Sequence, residues 1–124
     1  MSTHSSGLPS RFAHERLDAY WVAREALAQG EAIARDLPRG YGTLADQLRR
    51  ALLAVHLGVA EAAARSGADR LSRFRCARGE ASEAAAALDA VVVLGLAPAA
   101  RVEPVVALLA RVQAMLTRLC RPQQ

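Results

Sequence analysis

The chain has 124 residues, enough for one domain with a real apolar core and no need of disulfides or metals. Hydrophobic residues make up 52% and aromatic residues only 4%; alanine supplies much of the apolar count, which favours closely packed helices over strands. The formal charge of +4 comes from sixteen basic residues, all arginine, against twelve carboxylates. It reflects either compositional bias or a phosphate-binding surface, since guanidinium forks match phosphate oxygens.

Residues 1–11 contain Ser, Gly and Pro and read as a disordered tail with no apolar core segment of the signal-peptide kind. A first helix is expected from about Phe12 to Asp36, with Leu17, Tyr20, Ala23, Leu27, Gly30, Ala34 and Leu37 facing inward. Gly30 costs about 1 kcal/mol in helix propensity and marks a close crossing. Leu37-Pro38-Arg39-Gly40 ends the helix, because the residue before a proline leaves the helical region. Thr43 reads as the N-cap of the second helix, with Asp46 in the capping-box position, and that helix runs to about Ala64. Ser66 to Asp69 forms the next break, with Gly67 as its turn residue. The third helix, from about Asp69 to Leu94, carries Leu71, Phe74, Ala81, Ala85, Leu88 and Val92 on one face, and Gly95 stops it. The fourth lies between Pro98 and Cys120. Its stripe of Val102, Val105, Leu109, Val112, Leu116 and Leu119 follows a heptad rhythm. Pro104 either opens that helix near Glu103 or kinks one that begins at Pro98, and the second is preferred. Residues 121–124 are expected to fray. Four helices with short connections give an all-α, antiparallel up-down-up-down four-helix bundle over residues 12–120.

The second helix has more than one apolar face. Leu44, Leu48, Leu52, Val55, Val59 and Ala62 form the inward stripe, and Leu53, Leu57, Ala60 and Ala64 form another. Between them runs a polar seam of Gln47, Arg50, Ala54, Gly58, Glu61 and Arg65, each three or four residues from the next. The third helix has a second non-polar side in Gly79, Ala86, Ala90 and Val93. Two such helices exceed what one small bundle can bury, so these outer faces are expected to meet other copies in a homo-oligomer.

The seam reads as a buried or interfacial network that fixes helix register, with Glu61 bonded to Arg65 or Arg50; a ligand site is the alternative. Glu61 has no second carboxylate or nucleophile at workable spacing, so an enzyme is not expected. A di-iron bundle needs Glu-x-x-His pairs. His4 and His14 stand near the start and His56 stands alone, so no metal or other cofactor is expected. Glu80 and Glu83 read as a solvated face or as partners for Arg49, Arg50 or Arg78. No phosphate-loop motif is present, and the uncharged stretch Ala90 to Ala100 contains no membrane-length span. Cys76 and Cys120 have no CxxC or CxxH company and read as free thiols in the cytoplasm, a disulfide between them being the alternative. The cluster Arg65, Arg70, Arg73, Arg75 and Arg78, interrupted only by Asp69, is the leading candidate for a nucleic-acid contact.

The run Gln47-Leu48-Arg49-Arg50-Ala51, then Val59-Ala60-Glu61 and Arg65, resembles the QLRRA…NIAEG…R signature of the four-helix-bundle proteins encoded in intervening sequences of 23S ribosomal RNA genes and of their stand-alone relatives. Leu17 to Ala23, Leu37-Pro38, Tyr41-Gly42, Arg73-Phe74, Ala77-Arg78-Gly79, Glu83 and Leu94-Gly95-Leu96 extend the resemblance over residues 12–119. The family's Asn is Gly58 here, its following Gly is Ala62, and its Ser after Gly is Glu80. The resemblance implies a ring of five subunits. Distant relatives, the accessory variability proteins of diversity-generating retroelements, partner a reverse transcriptase and bind nucleic acid. The combined expectation is a cytoplasmic, non-enzymatic oligomer that binds an RNA or DNA backbone. The alternative is a structural or protein-interaction subunit without that activity.

Overall fold

The computed structural model describes residues 10–121. The expected tail and frayed end fall mainly on residues 1–9 and 122–124, outside the described residues. A short 3-10 turn, Ala13–Arg16, precedes four helices: α1 Asp18–Arg35, α2 Gly42–Ala63, α3 Gly67–Val93 and α4 Ala99–Leu119. There is no strand among the described residues. Each helix packs on its neighbour in sequence, and α4 returns to α1 to close the bundle. Cross-helix contacts fix the directions. Arg49 near the start of α2 pairs with Glu31 near the end of α1, Arg78 of α3 reaches Thr117 of α4, and Arg101 of α4 meets Asp36 beyond α1. Every neighbouring pair is therefore antiparallel.

The core is wholly apolar. Its largest fully buried members are Phe74, Leu48, Leu52, Leu88, Leu109 and Leu116, and no polar or charged side chain is buried among the described residues. The inward stripe expected of α2 is buried apart from half-buried Leu44. The α4 stripe is buried from Val102 to Leu116, with Leu119 half-buried. In α3 the buried positions are Phe74, Ala77, Ala81, Ala84, Leu88 and Val91, while Leu71, Ala85 and Val92 sit at the edge. The neighbouring pairs Ala84-Ala85 and Val91-Val92 are equally apolar, so periodicity cannot choose between them; packing against α2 and α4 selects a heptad-like register.

Helix α1 departs most from expectation. Its chain does not run helically from Phe12, because Leu17 is extended and separates the 3-10 turn from α1. The Glu15 carboxylate accepts the backbone N–H groups of Phe12 at 2.7 Å and Arg11 at 2.9 Å, and the Trp21 indole N–H donates to the Glu15 carbonyl at 3.1 Å. These bonds satisfy polar groups of a separate turn and lower the Glu15 pKa, the Phe12 amide being the larger cause and the Arg11 amide the next. The buried face of α1 is mostly small: Ala19, Ala23, Ala26, Gly30 and Ala34, with Val22 and Ile33. Leu17, Tyr20, Leu27 and Leu37 lap over its margins. Small residues let α1 approach α2 so closely that a Cβ at Gly30 would lie 2.3 Å from Leu52 Cδ1.

One helix start also differs from the sequence reading. Helix α2 begins one residue before Thr43, with Tyr41 at the N-cap and no side-chain cap bond, so the Thr43–Asp46 capping box does not form. Helix α4 starts at Ala99 behind Pro98 and runs through Pro104, the start preferred over an opening near Glu103. Gly95, at φ +71°, ends α3 as expected. Its N–H donates to the Val92 carbonyl at 3.0 Å and the Leu96 N–H to that of Val91 at 2.9 Å, the paired bonds of a Schellman motif.

Candidate nucleic-acid interface

The seam lies along the exposed margin between α2 and α3, and its partners are on α3. Arg50 donates to Gln47 at 3.3 Å within α2 and crosses to Glu80 at 3.4 Å and to Glu83. The hydrogen bond to Glu83 chiefly raises the Arg50 pKa and lowers that of Glu83. Glu61 does not bond Arg65 or Arg50. It accepts from Arg73 at 2.9 Å, and its side chain is 57% exposed in the single chain, so the expected Arg65 or Arg50 partner is corrected to Arg73 and the seam is not buried within one bundle. The reason is geometric: Gly58 brings α2 close to Ala77, where an added Cβ would stand 3.2 Å from the Ala77 Cβ. Arg65 lies beyond the end of α2 at Ala63 and turns to Asp69, so Glu61 meets Arg73 of the close-packed α3 instead.

The five-arginine cluster is divided. Arg73 pairs with Glu61 and, at 3.2 Å, with Asp69; Arg65 reaches Asp69 at 3.7 Å. Arg70 donates to the Ala63 carbonyl at 3.2 Å, and its guanidinium lies 5.0 Å from the centre of the Phe74 ring. These three are partly committed to holding the α2–α3 turn. Arg75 is exposed and has no hydrogen-bond or ion-pair partner among the described residues, while Arg78 meets only the Thr117 hydroxyl, at 3.5 Å.

The fold adds arginines that linear reading missed. Antiparallel packing returns the end of α4 to the start of α3, so Arg118 and Arg121 join Arg65 and Arg70 around a cleft of about 700 Å³. Ser66, Gly67, Leu71 and Leu119 complete its lining, and no carboxylate is among them. The sole sequence signal was the basic end of the last helix.

Charge is polarised along the whole bundle. The half that holds the α2–α3 turn, residues 10–26, 53–79 and 110–121, contains eleven arginines and five carboxylates. The opposite half, residues 27–52 and 80–109, contains five arginines and seven carboxylates. The formal charges are thus +6 and −2. Such separation sets a directional field that attracts polyanions to one end.

The outer apolar faces remain uncovered within one chain. Leu53 and Leu57 are 46% and 48% exposed, Val93 is 74% exposed, Gly79, Ala64 and Ala86 are exposed, and Ala60 and Ala90 are half-buried. Leu53 also borders a groove of about 510 Å³ between α1 and α2, with Leu27, Ala28 and Leu52 and the charged Glu31, Arg35 and Arg49. Further along the same helix pair, the Tyr20 hydroxyl stands 3.5 Å from His56 Nε2, and the His14 ring lies tilted against Tyr20, its centroid 4.4 Å away. His56 Nδ1 is buried without a protein partner. Burial, then the charges of Arg24 and His14, push the His56 pKa below its usual value.

Among the described residues no group of three His, Cys, Asp or Glu side chains is arranged to hold a metal, and both cysteines are free, Cys76 exposed and Cys120 buried. No described helix is long and apolar enough to cross a membrane. The chain is an all-α four-helix bundle with a basic end and exposed apolar flanks. No family model matches it, and no curated protein is detectably similar to it.

Proposed function

We propose that this is a non-enzymatic, self-associating cytoplasmic protein that binds the phosphate backbone of RNA or DNA through its basic half. The charge polarity of the bundle carries the reading. Arg75 and Arg78 are the principal contacts, because they have no carboxylate partner, while Arg65, Arg70 and Arg73 contribute field more than direct bonds. Contacts of this kind neutralise phosphates and release counterions, so affinity falls steeply with salt and varies little with sequence. A fluorescence anisotropy titration of unrelated RNA and DNA oligonucleotides at about 50 mM salt tests it, since backbone contacts are strong there. Arg75→Glu with Arg78→Glu abolishes binding, and Arg39→Glu at the opposite end leaves it unchanged. A flat titration of the unaltered protein overturns the proposal.

The exposed Leu53 and Leu57 favour a second reading, an interaction subunit whose role is assembly alone. Self-association through that face is part of both readings, and the resemblance to the intervening-sequence proteins sets the expected number at five. Light scattering after size exclusion gives the mass. Leu57→Glu lowers it to that of a monomer with helical circular dichroism preserved, because Leu57 is outside the intramolecular core. A monomeric mass for the unaltered protein removes assembly from both readings.

A further inference from the structure

We infer that the cleft between the α2–α3 turn and the end of α4 is a binding site for a compact oligophosphate, a run of two or three directly linked phosphate groups. Four arginines from three segments line one concavity: Arg65 in the turn, Arg70 in the first turn of α3, Arg118 in the last turn of α4, and Arg121 beyond it. Like charges gathered in a recess repel one another, and a multiply charged anion relieves that repulsion. Among the described residues no carboxylate lines the recess to do so internally. Asp69, the acid nearest in sequence, approaches Arg65 only at 3.7 Å and outside the lining. Arg118 and Arg121 have no ion-pair partner among the described residues.

The surroundings also fit an anion. Ser66 and Gly67, at the start of the 27-residue α3, form part of the wall, and the Ser66 side chain makes no cap bond, which leaves its hydroxyl available. Arg70 is already oriented by the Ala63 carbonyl and the Phe74 ring, so less freedom is lost when it binds. Leu71 and Leu119 bring apolar surface to the recess, which strengthens charge interactions there.

Shape selects the class of anion. A nucleic-acid strand distributes one charge per nucleotide along a line. It is suited to the open flank of Arg75 and Arg78 rather than to a concavity bounded by the ends of two helices. An oligophosphate concentrates several charges in a short length and matches four guanidinium groups from different directions. The inference goes beyond backbone binding and does not depend on it, since the ligand needs no nucleotide chain. The same chemistry occurs in inorganic oligophosphate, in a nucleoside triphosphate and in the 5′-triphosphate end of an RNA.

Isothermal titration calorimetry of the intact protein tests the site with sodium tripolyphosphate, pyrophosphate and orthophosphate at one ionic strength. Affinity is expected in that order. Arg118→Gln with Arg121→Gln lowers tripolyphosphate affinity by about tenfold or more, as expected for loss of charge-assisted bonds. Arg75→Gln with Arg78→Gln lowers it far less, because neither side chain lines the recess and only a long-range field, weakened by salt, is lost. The converse pattern is expected for an RNA with a 5′-hydroxyl, so the oligophosphate site and the backbone surface fail independently. Tighter binding of ATP than AMP, or of 5′-triphosphate than 5′-hydroxyl RNA, supports the site and identifies the source. Arginine Nε–Hε resonances follow the same titration in solution and report on the unaltered protein. Equal affinity for tripolyphosphate and orthophosphate, an unaffected Arg118/Arg121 variant, or unmoved arginine resonances overturns the inference.

Discussion

Gly30→Ala sets two effects of opposite sign against each other at one carbon atom. In an exposed helix interior, glycine to alanine stabilises by about 1 kcal/mol through helix propensity. At Gly30 the added Cβ would stand 2.3 Å from Leu52 Cδ1 and 3.4 Å from Cγ and Cδ2. Carbon atoms pack best at about 3.5–4.0 Å, so Leu52 must retreat by more than about 1 Å or the two helices must separate. Leu52 is 1% exposed and lies in a continuous core, which leaves it little room to turn. Overpacking of this kind costs about 1–3 kcal/mol, so the net effect is a destabilisation of about 0–2 kcal/mol. At roughly 4 °C per kcal/mol for a chain of this size, the melting temperature drops by up to about 8 °C. Two variants give the result its meaning. Gly79→Ala, made in the monomeric Leu57→Glu background where an added Cβ meets nothing within 4 Å, is expected to raise the melting temperature relative to that background. Leu52→Val shortens the opposing side chain and should couple favourably to Gly30→Ala by about 0.5 kcal/mol or more in a double-mutant cycle. Thermal melts followed by circular dichroism measure each of these proteins, the double variant and the unaltered chain included. If Gly30→Ala stabilises as much as Gly79→Ala, the close approach of α1 and α2 is not what holds glycine there.

The pH dependence of stability should show His56. Its pKa in the folded state lies below 6.5, so the unfolded chain binds the proton more readily, and the His56 contribution is fully present above 6.5 and lost as pH falls through that value toward the folded pKa. Melting temperature is expected to fall between pH 7.5 and 5.5, and His56→Gln is expected to flatten that decline; an unchanged slope refutes the burial argument. Glu61→Gln breaks an exposed pair with Arg73, so it should cost no more than about 1 kcal/mol in a denaturant titration. A loss of about 3 kcal/mol or more would instead belong to a buried pair, returning Glu61 to the buried or interfacial network expected from its sequence.

The number and order of the helices, their short turns and the inward stripes of α2 and α4 were legible in the sequence, because each depends on local spacing. Three- and four-residue steps place side chains on one face whatever lies opposite, and Gly95 ends α3 through its own backbone freedom. The exposure of Leu53, Leu57 and Val93 followed the same logic: each helix has only one face toward its own core. Where two neighbouring residues are equally apolar, as at Ala84-Ala85 and Val91-Val92, spacing could not decide which is buried, and packing did. The seam was visible as a row of polar residues on α2, but its partners were not, because Glu80, Glu83 and Arg73 belong to another helix. Arg118 and Arg121 stand some fifty residues from Arg65 and Arg70 in sequence. Only the antiparallel return of α4 places them around one cleft and divides the chain's charge into a basic end and an acidic one. Local periodicity determines which side of a helix is apolar; the neighbour that side meets, and the charges gathered at each end, are properties of the tertiary structure.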